Sequence, residues 1–258
     1  ASGSWTPYLY AFDLDQGTLV NSVKLSSAAT NPVPVPDRIA IGYDSKYAFV
    51  LDNALKTVSV YDLTTQTLLG SVPSANAVDM SKDIAPNANS ATLSADSNAS
   101  GGSYLRTIVI SNPLSYVDLP LNLSLIDQVE YNPVTSLFEV ATTGMLYSPN
   151  TSCGGISLPG PSSSEVPFNI QFSPLTQHVH FMTKTTFFTA DPNTCQVLSS
   201  AAFPISGKPL PTAITRDGKF YGYMAYNQLY VVQLCTAPVC GTVPVTPYNL
   251  GSSVYAAD

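Results

Sequence analysis

Arg38-Ile39-Ala40-Ile41-Gly42-Tyr43-Asp44-Ser45-Lys46-Tyr47-Ala48-Phe49-Val50 carries the plan of the whole chain. A short apolar run stops at a polar turn containing Asp. A lysine followed by an aromatic residue then opens a second run. Pro211-Thr212-Ala213-Ile214-Thr215-Arg216-Asp217-Gly218-Lys219-Phe220-Tyr221-Gly222-Tyr223 follows the same plan. Both read as strand, tight turn, strand, because β-branched and aromatic residues between Gly, Asp and Pro favour extended backbone and reversals over helix. Looser copies occupy 129–140, with a turn at Asn132-Pro133, and 169–182, with a turn at Ser173-Pro174.

A third and a fourth run follow each of these pairs. Thr57 to Asp62 precedes Leu63-Thr64-Thr65 and then 67–72, and Phe187 to Asp191 precedes Pro192-Asn193-Thr194 and then 196–200. The unit is therefore a four-stranded meander. Pro133 and Pro174 lie 41 residues apart, Pro174 and Asp217 lie 43 apart, and Asp44 and Pro133 lie 89 apart, which is two units. A period of about 40–50 residues is that of propeller blades. No window repeats apolar residues at helical spacing.

The sequence thus predicts an all-β fold, a six-bladed β-propeller of four-stranded antiparallel blades. The blades fall at 36–74, 77–122, 125–160, 165–205 and 210–245. A sixth is made from 246–258 plus 4–25, so that N-terminal and C-terminal strands pair and the join has no free sheet edge. In that closure Tyr248 to Leu250 and Ser253 to Ala256 are the first and second strands. In the 77–122 blade, 85–103 is rich in Ser, Asn, Ala and Gly and is expected to be a long loop.

Asp37-Arg38-Ile39-Ala40-Ile41, then Tyr47-Ala48-Phe49-Val50, then Thr57-Val58-Ser59-Val60-Tyr61-Asp62-Leu63 resembles the repeats of the YVTN and gluconolactonase-like (SMP-30/NHL) propeller superfamily. The resemblance spans most of the chain as a pattern and concerns the fold, because such propellers serve as hydrolases, lectins, scaffolds and surface-layer modules. In lactonase-type members, Glu, Asn and Asp near the channel hold a divalent cation, often Ca2+. Phe168-Asn169-Ile170 matches the family's Pro-Asn-Gly at one residue. Asn169, Asp37 and Asp127 are the metal candidates this implies, with Asp79 and Thr212 at comparable positions. Thr212 stands where the family has an Asp, and the family's first glutamate has no counterpart. Both departures count against lactonase chemistry.

The chain has 258 residues, of which 45% are hydrophobic and only 10% charged, with a net charge of −7. That length and hydrophobic content support a sizeable core. The acidic balance opposes binding to nucleic acid or to anionic membranes, and no apolar run is long enough for a membrane span. Two histidines leave little room for a Ser-His-Asp triad, and His178-Val179-His180 offers two imidazoles but no third ligand nearby. Asp13-Leu14-Asp15-Gln16-Gly17 begins like a calcium loop, lacks the later ligands and reads as a turn. No G-x-S-x-G, H-E-x-x-H or paired-carboxylate pattern is present, so no catalytic residue is assigned and no cofactor is expected beyond the Ca2+ alternative. Trp5 is the only Trp, so no aromatic platform repeats from blade to blade. Tyr47, Phe49, Phe138, Phe181, Phe220, Tyr221 and Tyr230 read as inter-blade packing.

The compartment is the remaining expectation. Asn98, Asn122 and Asn150 head N-x-S/T acceptor triplets, and Asn193-Thr194-Cys195 is a weaker variant. Four Cys allow two disulfides. Cys235 and Cys240 are close enough to close a hairpin, which leaves Cys153 and Cys195 to pair across neighbouring units. The start at Ala1 fits a mature chain after signal removal or a fragment. The expectation is a secreted or extracellular-surface glycoprotein, non-enzymatic, that binds protein or glycan at the cell surface or assembles, with itself or others, into a larger structure or filament. The alternatives are a lactonase-like hydrolase with a channel cation and a glycan-binding lectin.

Overall fold

The computed structural model describes residues 8–13, 16–24, 36–42, 46–74, 76–82, 90–96, 102–123, 125–149, 151–173, 176–202, 212–215, 219–225, 228–234 and 245–249. Contacts divide the chain into two units, Ala1–Ser124 and Leu125–Asp258.

In the first unit, β1 (Tyr8–Asp13) and β2 (Thr18–Lys24) form a hairpin. Next come β3 (Pro36–Ile41), β4 (Tyr47–Asp52), β5 (Thr57–Asp62) and β6 (Thr67–Pro73), joined in that order as one antiparallel sheet. A second such sheet contains β7 (Asn76–Lys82), β8 (Ser90–Asp96), β9 (Ser103–Val109) and β10 (Ser115–Pro120). The second unit holds three four-stranded meanders. They are β11 (Ile126–Asn132), β12 (Leu137–Thr142), β13 (Met145–Tyr147) and β14 (Gly155–Ser157); β15 (Phe168–Phe172), β16 (Val179–Met182), β17 (Thr186–Asp191) and β18 (Gln196–Ala202); and β19 (Thr212–Ile214), β20 (Phe220–Ala225), β21 (Gln228–Gln233) and β22 (Val245–Asn249).

One local device turns the chain between many of these strands. A strand ends on Asp, Asn or Ser, whose side chain accepts hydrogen bonds from turn amides. Asp52 accepts from Leu55, Asp62 from Thr64 and Thr65, Asn132 from Val134 and Thr135, Ser173 from Thr176, and Asp191 from Asn193. The fourth turn residue then takes a left-handed backbone: Lys56, Gln66, Ser136, Gln177 and Cys195 all have φ between 53° and 59°. The side-chain cap and the left-handed closing residue are the physical content of the repeat. Gly17, the last residue of the calcium-loop-like stretch, sits in the corresponding place at φ 63°.

The middle strands of the β3–β6 and β15–β18 sheets are buried on both faces, because within each unit these sheets have a neighbour on either side. On β4, Ala48 and Val50 join Val23 and Tyr61 on one face, while Phe49 and Leu51 join Met80, Leu93 and Ile108 on the other. In the second unit, Phe181 and Phe188 pack with Leu146 and Ile156, whereas Met182 and Phe187 pack with Tyr221 and Tyr223. The period of two in each strand thus supplies two separate cores.

Two expectations are corrected. The stretch expected to be a loop at 85–103 contains β8, which pairs with both β7 and β9. Ala91 and Leu93 are fully buried and Thr92 hydrogen-bonds Thr107 at 2.7 Å, so small residues do the work of larger apolar ones there. The C-terminal stretch assigned to a sixth sheet's first strand instead begins as β22, which pairs with β21 as a fourth strand. Without it the backbone groups of β21 would form an open edge. Residues 250–258 lie outside the described residues.

Candidate functional site

The candidate ligands lie on the first strands, and there the backbone departs from regular pairing. β3 carries an extra residue between Pro36 and Arg38, β7 between Ala77 and Asp79, β11 between Ile126 and Val129, and β15 between Phe168 and Gln171. A bulge re-aims the side chains that follow it. Phe168 and Ile170 would share a face in a regular strand. Asn169 between them has φ 54°, and the two apolar side chains enter opposite cores.

The polar groups at these bulges link neighbouring sheets. In the first unit, Arg38 Nε donates to Asp79 Oδ1 at 3.2 Å, from β3 to β7. In the second, the amide of Ile170 donates to Gln128 Oε1 at 3.4 Å, and Tyr221 Oη donates to the carbonyl of Asn169 at 3.0 Å. Asn169 is buried, and it and Asp127 stand at the bulges of β15 and β11, whose strands are adjacent. Asp37 is at the β3 bulge in the other unit, and its side chain lies outside the described residues. Thr212 opens β19. Among the described residues, no three of His, Cys, Asp or Glu converge to hold a metal ion.

His180 is not on an open strand face. It is fully buried, its Nδ1 lies 3.0 Å from Thr189 Oγ1, and its ring stacks on Phe187. Burial, with a smaller contribution from His178, pushes its pKa down to about 3, so the imidazole is neutral. His178 is half-buried and its pKa is also lowered, chiefly by burial.

Sequence reasoning passed over two polar centres. Glu139 on β12 is fully buried; Asn132 Nδ2 donates to its Oε1 at 2.8 Å and Ser148 Oγ donates to its Oε2. Burial raises its pKa to about 6 against the opposing pull of those two donors. Arg106 on β9 is buried between Tyr104 and Tyr116, with its guanidinium carbon 5.2 and 3.9 Å from their ring centres. It holds both oxygens of Asp118 at 2.7 Å and donates to the Pro73 carbonyl at 2.7 Å. No spacing rule signals either cluster, because each joins residues from separate strands.

Cys153 and Cys195 form a disulfide with Cα atoms 6.0 Å apart, between the β13–β14 turn and the β17–β18 turn. Cys235 and Cys240 lie outside the described residues, as do Asn98 and Asn150. Asn122 is exposed, just beyond β10, and Asn193 is exposed in the β17–β18 turn. Among the described residues, no helix is long and apolar enough to cross a membrane.

No protein-family model and no curated protein matches the sequence. Solved structures do. The β-propeller domain of Myceliophteria thermophila Cps50 (Swd1) is similar over 83% of this chain and 71% of that one, at 14% identity and a TM-score of 0.61. The fold is a β-propeller. Kluyvelomyces marxianus Hsv2 is similar over 87% of this chain and 69% of its own, at 8% identity and a TM-score of 0.63. The extracellular domain of BT4673 from B. thetaiotaomicron matches over 95% of this chain and 33% of that one, at 17% identity and a TM-score of 0.61. At these identities the likeness concerns the propeller architecture alone.

Proposed function

We propose that this propeller is an exported, N-glycosylated module that binds protein or glycan at the cell surface, or assembles into a larger extracellular structure. The observation that carries the reading is the Cys153–Cys195 disulfide. It joins two neighbouring sheets 42 residues apart in sequence, and such bonds persist in oxidising compartments. The acceptor triplets at Asn98, Asn122 and Asn150 and the low charge agree with that environment, and one structural neighbour is itself an extracellular domain. In the full proposal the ring has six blades, the last closed by 4–25 with residues from the C-terminal end, and Cys235 pairs with Cys240.

In the second unit, the bulge-lined starts of β11 and β15 are the proposed binding face. They carry Asp127, Gln128 and Asn169, and the contacts described at them tie one sheet to the next. The test is where the chain resides. Fractionation of the producing cells should find it in the medium or on the surface, where protease added to intact cells removes it. Recovery only from the protease-protected interior would overturn the reading. Stoichiometric Ca2+ in the purified protein, lost on Asn169→Ala, would move the assignment to the lactonase-like alternative.

A further inference from the structure

The buried acid and the disulfide meet at one residue. Ser148 directly follows β13 and begins the turn that carries Cys153. Its hydroxyl donates to Glu139, its amide donates to Gly154 O at 3.3 Å, and its carbonyl accepts from the amide and hydroxyl of Thr151 at 3.4 and 2.9 Å. On its other side Glu139 is held by Asn132, whose Oδ1 caps the β11–β12 turn through Val134 and Thr135. Besides its own internal bonds and the β13–β14 pairing at its base, the turn is tied to its surroundings at two points. Ser148 is bound to the carboxylate, and Cys153 is bound covalently to the next sheet.

We propose that the Cys153–Cys195 disulfide is the clasp of a redox-sensitive cover: the β13–β14 turn keeps water from Glu139 while the bond is intact, and its reduction loosens the turn and hydrates the acid. In the reduction, two thiols of an external reductant supply two electrons and two protons. The S–S bond breaks, Cys153 and Cys195 become thiols, and the reductant becomes a disulfide. The chain is 42 residues long between the two cysteines, so nothing covalent nearby replaces the lost restraint.

The coupling has a sign. A carboxyl group held out of water favours its neutral form, and a hydrated one ionises at the ordinary value. Reduction should therefore weaken proton binding at Glu139, and by linkage ionisation of Glu139 should favour the reduced, open turn. The other titratable groups on the surrounding elements are Asp127, Tyr131 and Glu130 on β11, the last directly opposite Glu139 in register, Tyr147 on β13, and His178, His180 and Asp191 on the adjoining β15–β18 sheet. None of them contributes to the Glu139 shift, which is set by burial and the two hydrogen bonds.

The experiment is a carbon-13 titration of the glutamate carboxyls, of which the chain has three, Glu130, Glu139 and Glu165. It is run on the oxidised protein and on protein reduced with excess dithiol. The Glu139 resonance, assigned by its absence in Glu139→Gln, should show a midpoint about one unit lower after reduction, tenfold in proton affinity. Glu165 serves as an internal reference. Equal Glu139 midpoints in the two states would overturn the proposal, as would an ordinary midpoint in the oxidised protein. Cys153→Ser with Cys195→Ser should reproduce the reduced midpoint. If that variant fails to fold, the reduced wild-type chain carries the test alone.

Discussion

Truncation of Arg106 to Ala removes more from this molecule than any surface ion pair would. The guanidinium makes two 2.7 Å bonds to Asp118, one 2.7 Å bond to the Pro73 carbonyl, and lies over two tyrosine rings. Asp118 is 40% exposed and can rehydrate, so the fork is worth about 1–2 kcal/mol rather than the value of a fully buried pair. The Pro73 bond adds about 1 kcal/mol. The two ring contacts add about 1 kcal/mol together. Arg106→Ala should therefore cost about 3–4 kcal/mol, which for a chain of this length lowers Tm by roughly 6–16 °C. Arg106→Lys keeps one charged contact, loses the planar fork, and should cost about 2 kcal/mol. The assay is urea unfolding followed by circular dichroism, with Arg38→Ala as the comparison. Arg38 is 59% exposed at its bond to Asp79, and its loss should cost about 0.5 kcal/mol. If Arg106→Ala and Arg38→Ala cost the same, the reasoning from burial and fork geometry is wrong.

Glu139 makes stability depend on pH in the direction opposite to a salt-bridged carboxylate. Its pKa in the fold, about 6, lies above the ordinary value of 4.5, so the folded state binds the proton more tightly. The contribution is full below pH 4.5 and is lost as pH rises through 6, a change of about 2 kcal/mol. Glu139→Gln should flatten this part of the stability profile, and a profile unchanged by the substitution would contradict the assignment. At the β15 bulge, Asn169→Gly should leave stability within about 0.5 kcal/mol, whereas Asn169→Val should cost about 1–2 kcal/mol, because a β-branched residue resists φ 54°. Equal melting temperatures for the two variants would count against strain at that position. Tyr221→Phe removes the bond to the Asn169 carbonyl and should cost about 1 kcal/mol in the same assay, and no change would mean that the bond contributes nothing.

The meander was legible because its turns are written in local chemistry. Asp62, Asn132 and Asp191 sit at strand ends, and their caps need only the next three residues. The Cys153–Cys195 pair was legible from cysteine spacing, because two nearer cysteines left these two to each other. The strand Ser90–Asp96 was not, since small residues such as Ala91 and Thr92 are buried there only because residues around them, Met80 and Ile108 among them, supply the bulk. The C-terminal strand Val245–Asn249 was misplaced because a strand's partner is a tertiary fact, and either of two sheets could have taken it. At the candidate site, regular alternation would put Phe168 and Ile170 on one face, and the extra residue that separates them has no local signature except an Asn tolerant of positive φ. Glu139 and Arg106 were invisible for a related reason. Their partners, Ser148 and Asn132 in one case and Asp118 and Pro73 in the other, are set by strand register and sheet packing.

The measurement closest to the central claim is the intact mass of the native protein, taken before and after deglycosylation and after reduction with thiol labelling. The account predicts a mass above 27.3 kDa that falls on deglycosylation, and four cysteines that label only after reduction, Cys153 and Cys195 among them. An unmodified chain whose cysteines all label without reduction would contradict it.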